Sequence, residues 1–429
     1  MVATLFIILV LGLVFTVPIA LSLALASGVY LLLYMSHIPE PLAMLAQPFI
    51  TSADSFALMA VPFFMLAGTL MAKGGIAKKL INVADAVAGP VFGGLGVSTV
   101  VACMFFAAIS GSGPATVAAI GSIMIPAMND RGYDESFSAA LTATAGGIGV
   151  IIPPSIPMIV YGAIMGVSVS KIFLAGFLPG ILVGLGLIIV TYIISKKRGY
   201  KGIPRGGGLL WVLKVIWDAK FAIIMPVIIL GGIYGGIFTP TEAAAVATVY
   251  ALIIGIFVYK TLTFKRLIEC LTEASVLSAI VMVLLGGALT FGRLLTLQRV
   301  PDLLASAMLS FTSNPIVILL LINLLLLITG CFIDTISNVI LLAPLLVPIV
   351  VKVGVDPVHF GVVMVVNLAI GFISPPLGMN LFVASGITGV AFEDIVKSIL
   401  PFFLITVVSL LIITYVPSVS LFLPKLLGY

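Results

Sequence analysis

The chain has 429 residues, 62% hydrophobic and only 8% charged, with a mean hydropathy of +1.36; soluble domains carry about 45–50% apolar and about 25% charged residues. Nothing in such a composition covers a water-facing surface, so a soluble fold is excluded and the solvent is lipid. The net charge of +5 calls for no nucleic acid, and its placement along the chain carries more information than its size.

At roughly 20 residues per crossing the length allows on the order of ten spans. The first apolar segment begins at Val2 with neither a basic leader nor a small-residue cleavage motif, so no cleaved signal peptide is expected. Apolar segments follow over 2–17, 18–36, 54–72, 91–128, 136–166, 172–195, 219–237, 242–259, 273–295, 314–350, 358–390 and 400–424. Four of these (91–128, 136–166, 314–350 and 358–390) are too long for one span and carry Gly or Pro near their middle. They are expected to form two re-entrant hairpins and two interrupted helices. Two amphipathic pieces, 40–52 and 262–272, suit the membrane interface. Cys103, Cys270 and Cys331 sit in apolar runs without metal-ligand spacing and read as small hydrophobes.

Shifted by 222 residues, 126–154 aligns without a gap on 348–376, with eight of 29 pairs identical. Among the matches are Pro126/Pro348, Gly132/Gly354, Asp134/Asp356, Gly149/Gly371 and Pro153-Pro154/Pro375-Pro376. Apolar bias alone yields matched Leu and Val, not matched Pro, Gly and Asp. The chain therefore reads as two copies of one unit, 1–195 and 208–429, joined by a basic linker at 196–207. The positive-inside rule places that linker in the cytoplasm and, traced outward, both termini outside. Fifteen basic residues then lie inside and five (Lys171, Arg293, Arg299, Lys352 and Lys425) outside. Under that trace the two copies are inverted, the build of secondary transporters whose binding sites lie where the broken helices meet.

The chemistry is expected at those breaks. The first hairpin turns at 108–116, where Ser110, Ser112 and Thr116 accompany Gly111, Gly113 and Pro114. Open carbonyls and hydroxyls at membrane depth suit a hard cation such as Na⁺; a small-residue packing face is the plainer alternative. In the first interrupted helix Pro153 and Pro154 free the carbonyls of Gly147, Gly149 and Val150, and the following half-helix starts at Ser155. A proline kink would be the bland account, but the pattern recurs at 371–376, with Gly371 and Ser374, which favours an ion site. At the second hairpin tip Asp334 is a carboxylate inside a long apolar run, and Thr335, Ser337 and Asn338 follow it. It is suited to ligate Na⁺, to relay a proton or to cap a half-helix. Asn338 and Asn380 are polar groups available to a polar substrate. Thr239 or Thr241 reads as a helix cap, with Glu242 a structural acid in the first turn that suits the helix dipole; Arg293 reads as snorkelling to the outer interface, with substrate attraction the lesser reading; His37 and His359 lie near expected interfaces. No phosphate loop, serine elbow or zinc motif is present, so the chain is not expected to hydrolyse ATP or to act as an enzyme. A membrane enzyme or a pore would need a catalytic dyad or a continuous polar lining, and the sequence offers neither.

Four stretches, 110–121 (SGSGPATVAAIG), 146–157 (GGIGVIIPPSIP), 236–245 (GIFTPTEAAA) and 371–380 (GFISPPLGMN), together resemble the large membrane (M) subunit of tripartite ATP-independent periplasmic (TRAP) transporters, and the likeness covers essentially the whole chain. The resemblance implies an all-α, elevator-type fold related to divalent-anion/Na⁺ symporters, in the bacterial inner membrane. It implies Na⁺-coupled import of an organic acid, such as a C4-dicarboxylate or sialic acid, brought by a periplasmic binding protein, with a separate four-helix small membrane subunit as partner. Carried onto this chain, one Na⁺ site would be Ser110, Ser112, Gly147, Val150 and Pro153, and a second Asp334, Thr335, Gly371 and Ser374. The acid would lie near Ser112, Thr116, Ser155, Asn338 and Asn380. A stand-alone divalent-anion/Na⁺ symporter that needs no partners is the alternative.

Overall fold

A computed structural model describes residues 2–35, 40–202, 208–312 and 314–428; His37 and the 203–207 stretch of the linker lie outside the described residues. Among the described residues the fold is wholly helical. The first half runs α1 (Val2–Val14), α2 (Ile19–Tyr34), α3 (Ala43–Ala53), α4 (Ala60–Lys73), α5 (Ile76–Ala88), α6 (Gly94–Ser110), α7 (Gly113–Asn129), α8 (Glu135–Gly147), α9 (Ile156–Met165) and α10 (Val169–Arg198). The second runs α11 (Leu209–Asp218), α12 (Lys220–Tyr234), α13 (Pro240–Ile253), α14 (Phe264–Leu297), α15 (Val300–Phe311), α16 (Pro315–Gly330), α17 (Thr335–Lys352), α18 (Pro357–Gly371), α19 (Met379–Thr388), α20 (Phe392–Tyr415) and α21 (Pro417–Leu426).

Helix order repeats along the chain: α7 and α17, like α8 and α18, start 222 residues apart. The packing is reciprocal, with α9 against α17 and α19 against α7, and with α4 against α13 and α14 against α2. Each half thus completes the other.

Gly and Pro break the long apolar segments where the sequence places them. Segment 91–128 resolves into α6 and α7, which turn at Gly111, and 314–350 into α16 and α17, which turn at 331–334. Segment 136–166 is α8, a 3₁₀ turn at Ile148–Val150 and α9; 358–390 is α18 and α19. Among the described residues, five helical stretches are long and apolar enough to cross a membrane alone, and α4 with α5 forms a further apolar pair bent by 68°.

Three expectations need correction. The piece 262–272 is not a separate interfacial helix: from Phe264 to Leu297 no Pro occurs and the first Gly is Gly286, so nothing stops one 34-residue helix, α14. A short amphipathic helix absent from the sequence reading, α11, lies against α5 instead. His359 is not at a wet interface; it is buried beside α20, with Nε2 3.2 Å from the Thr414 carbonyl. Segment 400–424 is also split, at Val416-Pro417, into α20 and α21.

Two helices sit at the centre. Every residue of α8 from Phe137 and of α18 from Val358 is buried. Helix α8 is rich in Ala, Gly, Ser and Thr, so neighbours approach its backbone closely, and Ser138, Thr142 and Thr144 return their hydroxyls to carbonyls four residues back. Outer helices show the opposite pattern. On α16, Ile316, Leu320, Leu324 and Ile328 form an exposed i, i+4 stripe, while Ile318, Ile322 and Leu326 face protein. In lipid that stripe costs nothing, because hydrocarbon is as apolar as leucine.

A polar seam joins α16, α18 and α20. Asn367 Nδ2 donates to the Asn323 carbonyl at 3.0 Å and to its side-chain oxygen at 2.9 Å, and Asn323 Nδ2 donates to Thr414 Oγ1 at 3.1 Å. All three residues are buried.

Candidate functional site

In each half a hairpin tip presses against a helix break. At the first tip Gly111 holds φ +64°, the left-handed turn that lets α6 reverse into α7, and a Cβ there would stand 2.9 Å from the Pro154 carbonyl. Its own carbonyl accepts from Ile156 N at 3.3 Å. Ser112 caps α7 by accepting from Ala115 N at 3.5 Å. Thr116 Oγ1 lies 2.7 Å from the Ser112 carbonyl and 2.9 Å from Ser110 Oγ, so three oxygens of the proposed first Na⁺ and substrate set share one cluster. A Cβ on Gly149 would stand 2.6 Å from that same Ser112 carbonyl, which places the break against the tip. At the break, Ser155 Oγ donates to the Val150 carbonyl and also caps α9 at Met158 N. Pro153-Pro154, like Pro375-Pro376, is joined by a cis bond.

The second junction repeats this geometry with different chemistry. Asp334 caps α17, its Oδ1 accepting from Ile336 N at 3.0 Å and Ser337 N at 3.1 Å, while Oδ2 accepts from Ser337 Oγ. The cap reading of this acid is therefore in place, and it leaves Oδ2 lone pairs open. Gly371 at the break meets Gly330 at the tip: a Cβ on Gly371 would stand 2.5 Å from the Gly330 carbonyl oxygen. Ser374 Oγ turns back to the Ile370 carbonyl at 2.8 Å. Thr335 Oγ1 and Asn338 Oδ1 are buried without a hydrogen-bond partner, while Asn338 Nδ2 donates to the Ile333 carbonyl at 2.8 Å.

The two junctions meet at Asn380. From the start of α19 its Nδ2 donates 2.9 Å to the Ala143 carbonyl on α8, and its Oδ1 is buried and unpartnered beside Gly113. Gly147 faces Ala369 across the same seam. Between the breaks, Thr144, Gly147, Ile148, Ala369, Ile370 and Thr406 border a cavity of only about 10 Å³, at the lower limit for one water. Thr116, Ser155, Asn338 and Asn380 are fully buried. In this conformation Thr116 and Asn338 bond within their own hairpins, Ser155 closes its own break and Asn380 alone reaches across to α8, while the seam cavity is too small for an acid.

Glu242 accepts from Thr239 N at 2.8 Å and Thr239 Oγ1 caps Glu242 N, a reciprocal capping box that starts α13. Arg293 is exposed on α14. The sequence reading missed Asn323 and Asn367, whose signal is a lone amide within an apolar run.

A family model described as "Tripartite ATP-independent periplasmic transporter, DctM component" matches residues 6–419. The chain belongs to this family. Over 410 residues it is 51% identical to the isethionate TRAP transporter permease protein DctMQ of Oleidesulfovibrio alaskensis, covering 96% of this chain but 64% of that longer relative. It is 42% identical to the C4-dicarboxylate TRAP transporter large permease protein DctM of Pseudomonas aeruginosa, covering 95% of this chain and 94% of the relative. It is 39% identical to the sialic acid TRAP transporter large permease protein SiaM of Vibrio cholerae, covering 98% of both. In fold it is similar to the crystal structure of the Alcanivorax borkumensis YdaH transporter, with TM-score 0.60, 15% identity and 88% of each chain covered. The chain is thus a multi-pass TRAP-type large permease.

Proposed function

We propose that this DctM chain imports a small organic acid across the bacterial inner membrane in symport with Na⁺, by an elevator movement. The observation that carries the reading is the pair of hairpin–break junctions with buried, unpartnered acceptors. Thr335 Oγ1, Asn338 Oδ1 and Asn380 Oδ1 lack donors in a low-dielectric interior, where an unmet polar atom is costly and a cation or a substrate donor satisfies it. Na⁺ as cargo fits the donor set: Ser110, Ser112, Gly147, Val150 and Pro153 at the first junction offer neutral oxygens. Asp334, Thr335, Gly371 and Ser374 at the second add one carboxylate. Half-helix N-termini at Ser112 and Ser155 favour an anion beside the cations.

The mobile body would be α6–α9 and α16–α19, carried on the outer helices, with the two halves inverted, both termini periplasmic and the hairpins re-entrant. The relatives named for isethionate, C4-dicarboxylates and sialic acid share an acid group on a small polar molecule, which sets the substrate class. A periplasmic binding protein would deliver the acid. A small four-helix membrane subunit would be the chain's partner within the membrane.

The test is uptake into proteoliposomes containing the chain and its small subunit, with binding protein outside and labelled isethionate, succinate or sialic acid, with and without an inward Na⁺ gradient. Accumulation that needs both Na⁺ and binding protein supports the reading. No accumulation of any acid under the gradient refutes it, and full-rate uptake by the chain alone would instead make it a stand-alone symporter.

A further inference from the structure

Helices α5 and α11, with Ala219 just beyond α11, line an open pocket of about 320 Å³ away from both junctions, bordered by Lys79, Asn82, Asp85, Trp211, Val215, Asp218 and Ala219. Its volume is at the low end of the roughly 300–1,000 Å³ of ligand sites. Two carboxylates and one ammonium share the lining, and among the described residues none of the three forms an ion pair with another. Asp85 Oδ1 is buried and has no hydrogen-bond donor. The remaining wall, Trp211, Val215 and Ala219, is apolar. Beside it, Leu210, Leu213 and Trp217 of α11 are exposed, and the Lys220 ammonium sits 4.2 Å from the Trp217 ring centroid. An amphipathic helix with Trp at both ends and Lys alongside suits the plane of the membrane surface.

We propose that this cavity binds the headgroup of an aminophospholipid, a primary ammonium joined to a phosphodiester, whose acyl chains run along the exposed apolar face of α11. The ammonium donates to Asp85, whose Oδ1 lacks a donor, and to Asp218; the phosphate lies toward Lys79 and Asn82. An anionic headgroup without an amine meets two carboxylates and is disfavoured. A trimethylated amine offers no N–H to Asp85. Because α5 packs on α6 as well as on α11, the bound lipid ties the first hairpin's neighbour to the membrane surface. The site does not depend on Na⁺ coupling.

Native mass spectrometry of the full chain, exchanged from detergent into equal amounts of phosphatidylethanolamine, phosphatidylcholine and phosphatidylglycerol, tests this. Phosphatidylethanolamine is expected to be retained about tenfold over either competitor, the scale of one charge-assisted hydrogen bond. Asp85→Asn and, separately, the exposed Asp218→Asn are expected to reduce that preference, while Asp394→Asn on α20 leaves it intact. Should Asp85→Asn fail to fold, Lys79→Gln serves, with reduced retention expected. Equal retention of the three lipids, a preference for phosphatidylglycerol, or unchanged selectivity in Asp85→Asn, Asp218→Asn and Lys79→Gln overturns the proposal. So does displacement of the lipid by millimolar soluble phosphoethanolamine, which would make the ligand a free headgroup.

Discussion

Substitution of Gly371 by Ala tests whether the second hairpin tip is seated on the helix break. Two effects oppose each other. Ala in a helix is favoured over Gly by about 0.8–1.0 kcal/mol. Against that, the new Cβ would stand 2.5 Å from the Gly330 carbonyl oxygen and 2.8 Å from its Cα. Those are backbone atoms, with no rotamer to turn away, so α16 and α18 must separate. Overpacking of a well-filled interior costs about 1–3 kcal/mol, and a rigid backbone clash belongs at the upper end, leaving a net loss of about 1–2 kcal/mol. Gly386→Ala in α19 is the matched control: it offers the same helix gain, and nothing lies within 4 Å of its added Cβ.

The two variants should move in opposite directions. Cys103 and Cys270 are free and buried, so a thiol-reactive fluorophore reports unfolding of the purified chain on heating. Gly371→Ala should melt below the wild type and Gly386→Ala at or above it. If Na⁺ occupies the second junction, it raises the wild-type melting point by linkage, and that shift should shrink in Gly371→Ala because the tip is displaced. A Gly371→Ala protein that melts as high as the wild type with an undiminished Na⁺ shift would refute the packing argument.

Asp334→Ala should abolish Na⁺-dependent uptake and also lower stability by about 1 kcal/mol through loss of the α17 cap. Asp334→Asn retains a capping oxygen, so uptake should lose its Na⁺ dependence with the melting point nearly unchanged; unaltered Na⁺ dependence in both removes Asp334 from the site. Asn380→Leu removes the side-chain bond to the Ala143 carbonyl, which keeps its helical donor, at a cost of about 0.5–1.5 kcal/mol, and should slow uptake per folded molecule; a variant as stable and active as the wild type would show that the α8–α19 bridge is dispensable. Lys352 lies 2.7 Å from Asp302 and holds that carboxyl below its ordinary 3.8. A depressed carboxyl contributes above its unfolded value and is lost as pH falls through the folded one. The protection factors of α15 amides, with the intrinsic pH dependence of exchange divided out, should therefore be flat from pH 7 to 5 and fall only below 3.8, whereas Asp302→Asn should show lower protection already at pH 7.

The breaks were legible because they are caused locally. Two adjacent prolines, as in Pro153-Pro154 and Pro375-Pro376, stop a helix wherever they occur and clustered glycines weaken one, so the hairpin turns, the helix start at Ser155, the Thr239 cap with Glu242 in the first turn behind it, and the Asp334 cap follow from short windows of sequence. Helix α14 was misread because amphipathy over 262–272 is also a local signal, whereas continuity depends on the absence of a breaker over the next twenty residues. The burial of His359 was invisible for a different reason. The carbonyl it meets belongs to Thr414, 55 residues away, and only the packing of α20 on α18 brings the two together. Thr116 and Asn380 were legible as polar groups at membrane depth. That their polar atoms are turned to Ser110, Ser112 and Ala143 in this conformation is set by tertiary structure.

The two halves duplicate a backbone while their side chains have diverged. Ser112 and Asp334 are 222 residues apart and cap equivalent helices, yet one is neutral and the other a carboxylate; Thr116 and Asn338 stand in the same relation. The polar seam of the second half, Asn323, His359, Asn367 and Thr414, corresponds to Val101, Phe137, Ala145 and Tyr192 in the first. A repeat conserved only for packing would have little reason to place its charge and its amides in one copy. In a low-dielectric interior a single carboxylate dominates the local potential, so cations drawn to the two junctions would meet unequal fields although the backbones match. The fold supplies two matching hairpin–break backbones, and the side chains make them inequivalent, the second alone carrying a carboxylate at its cap.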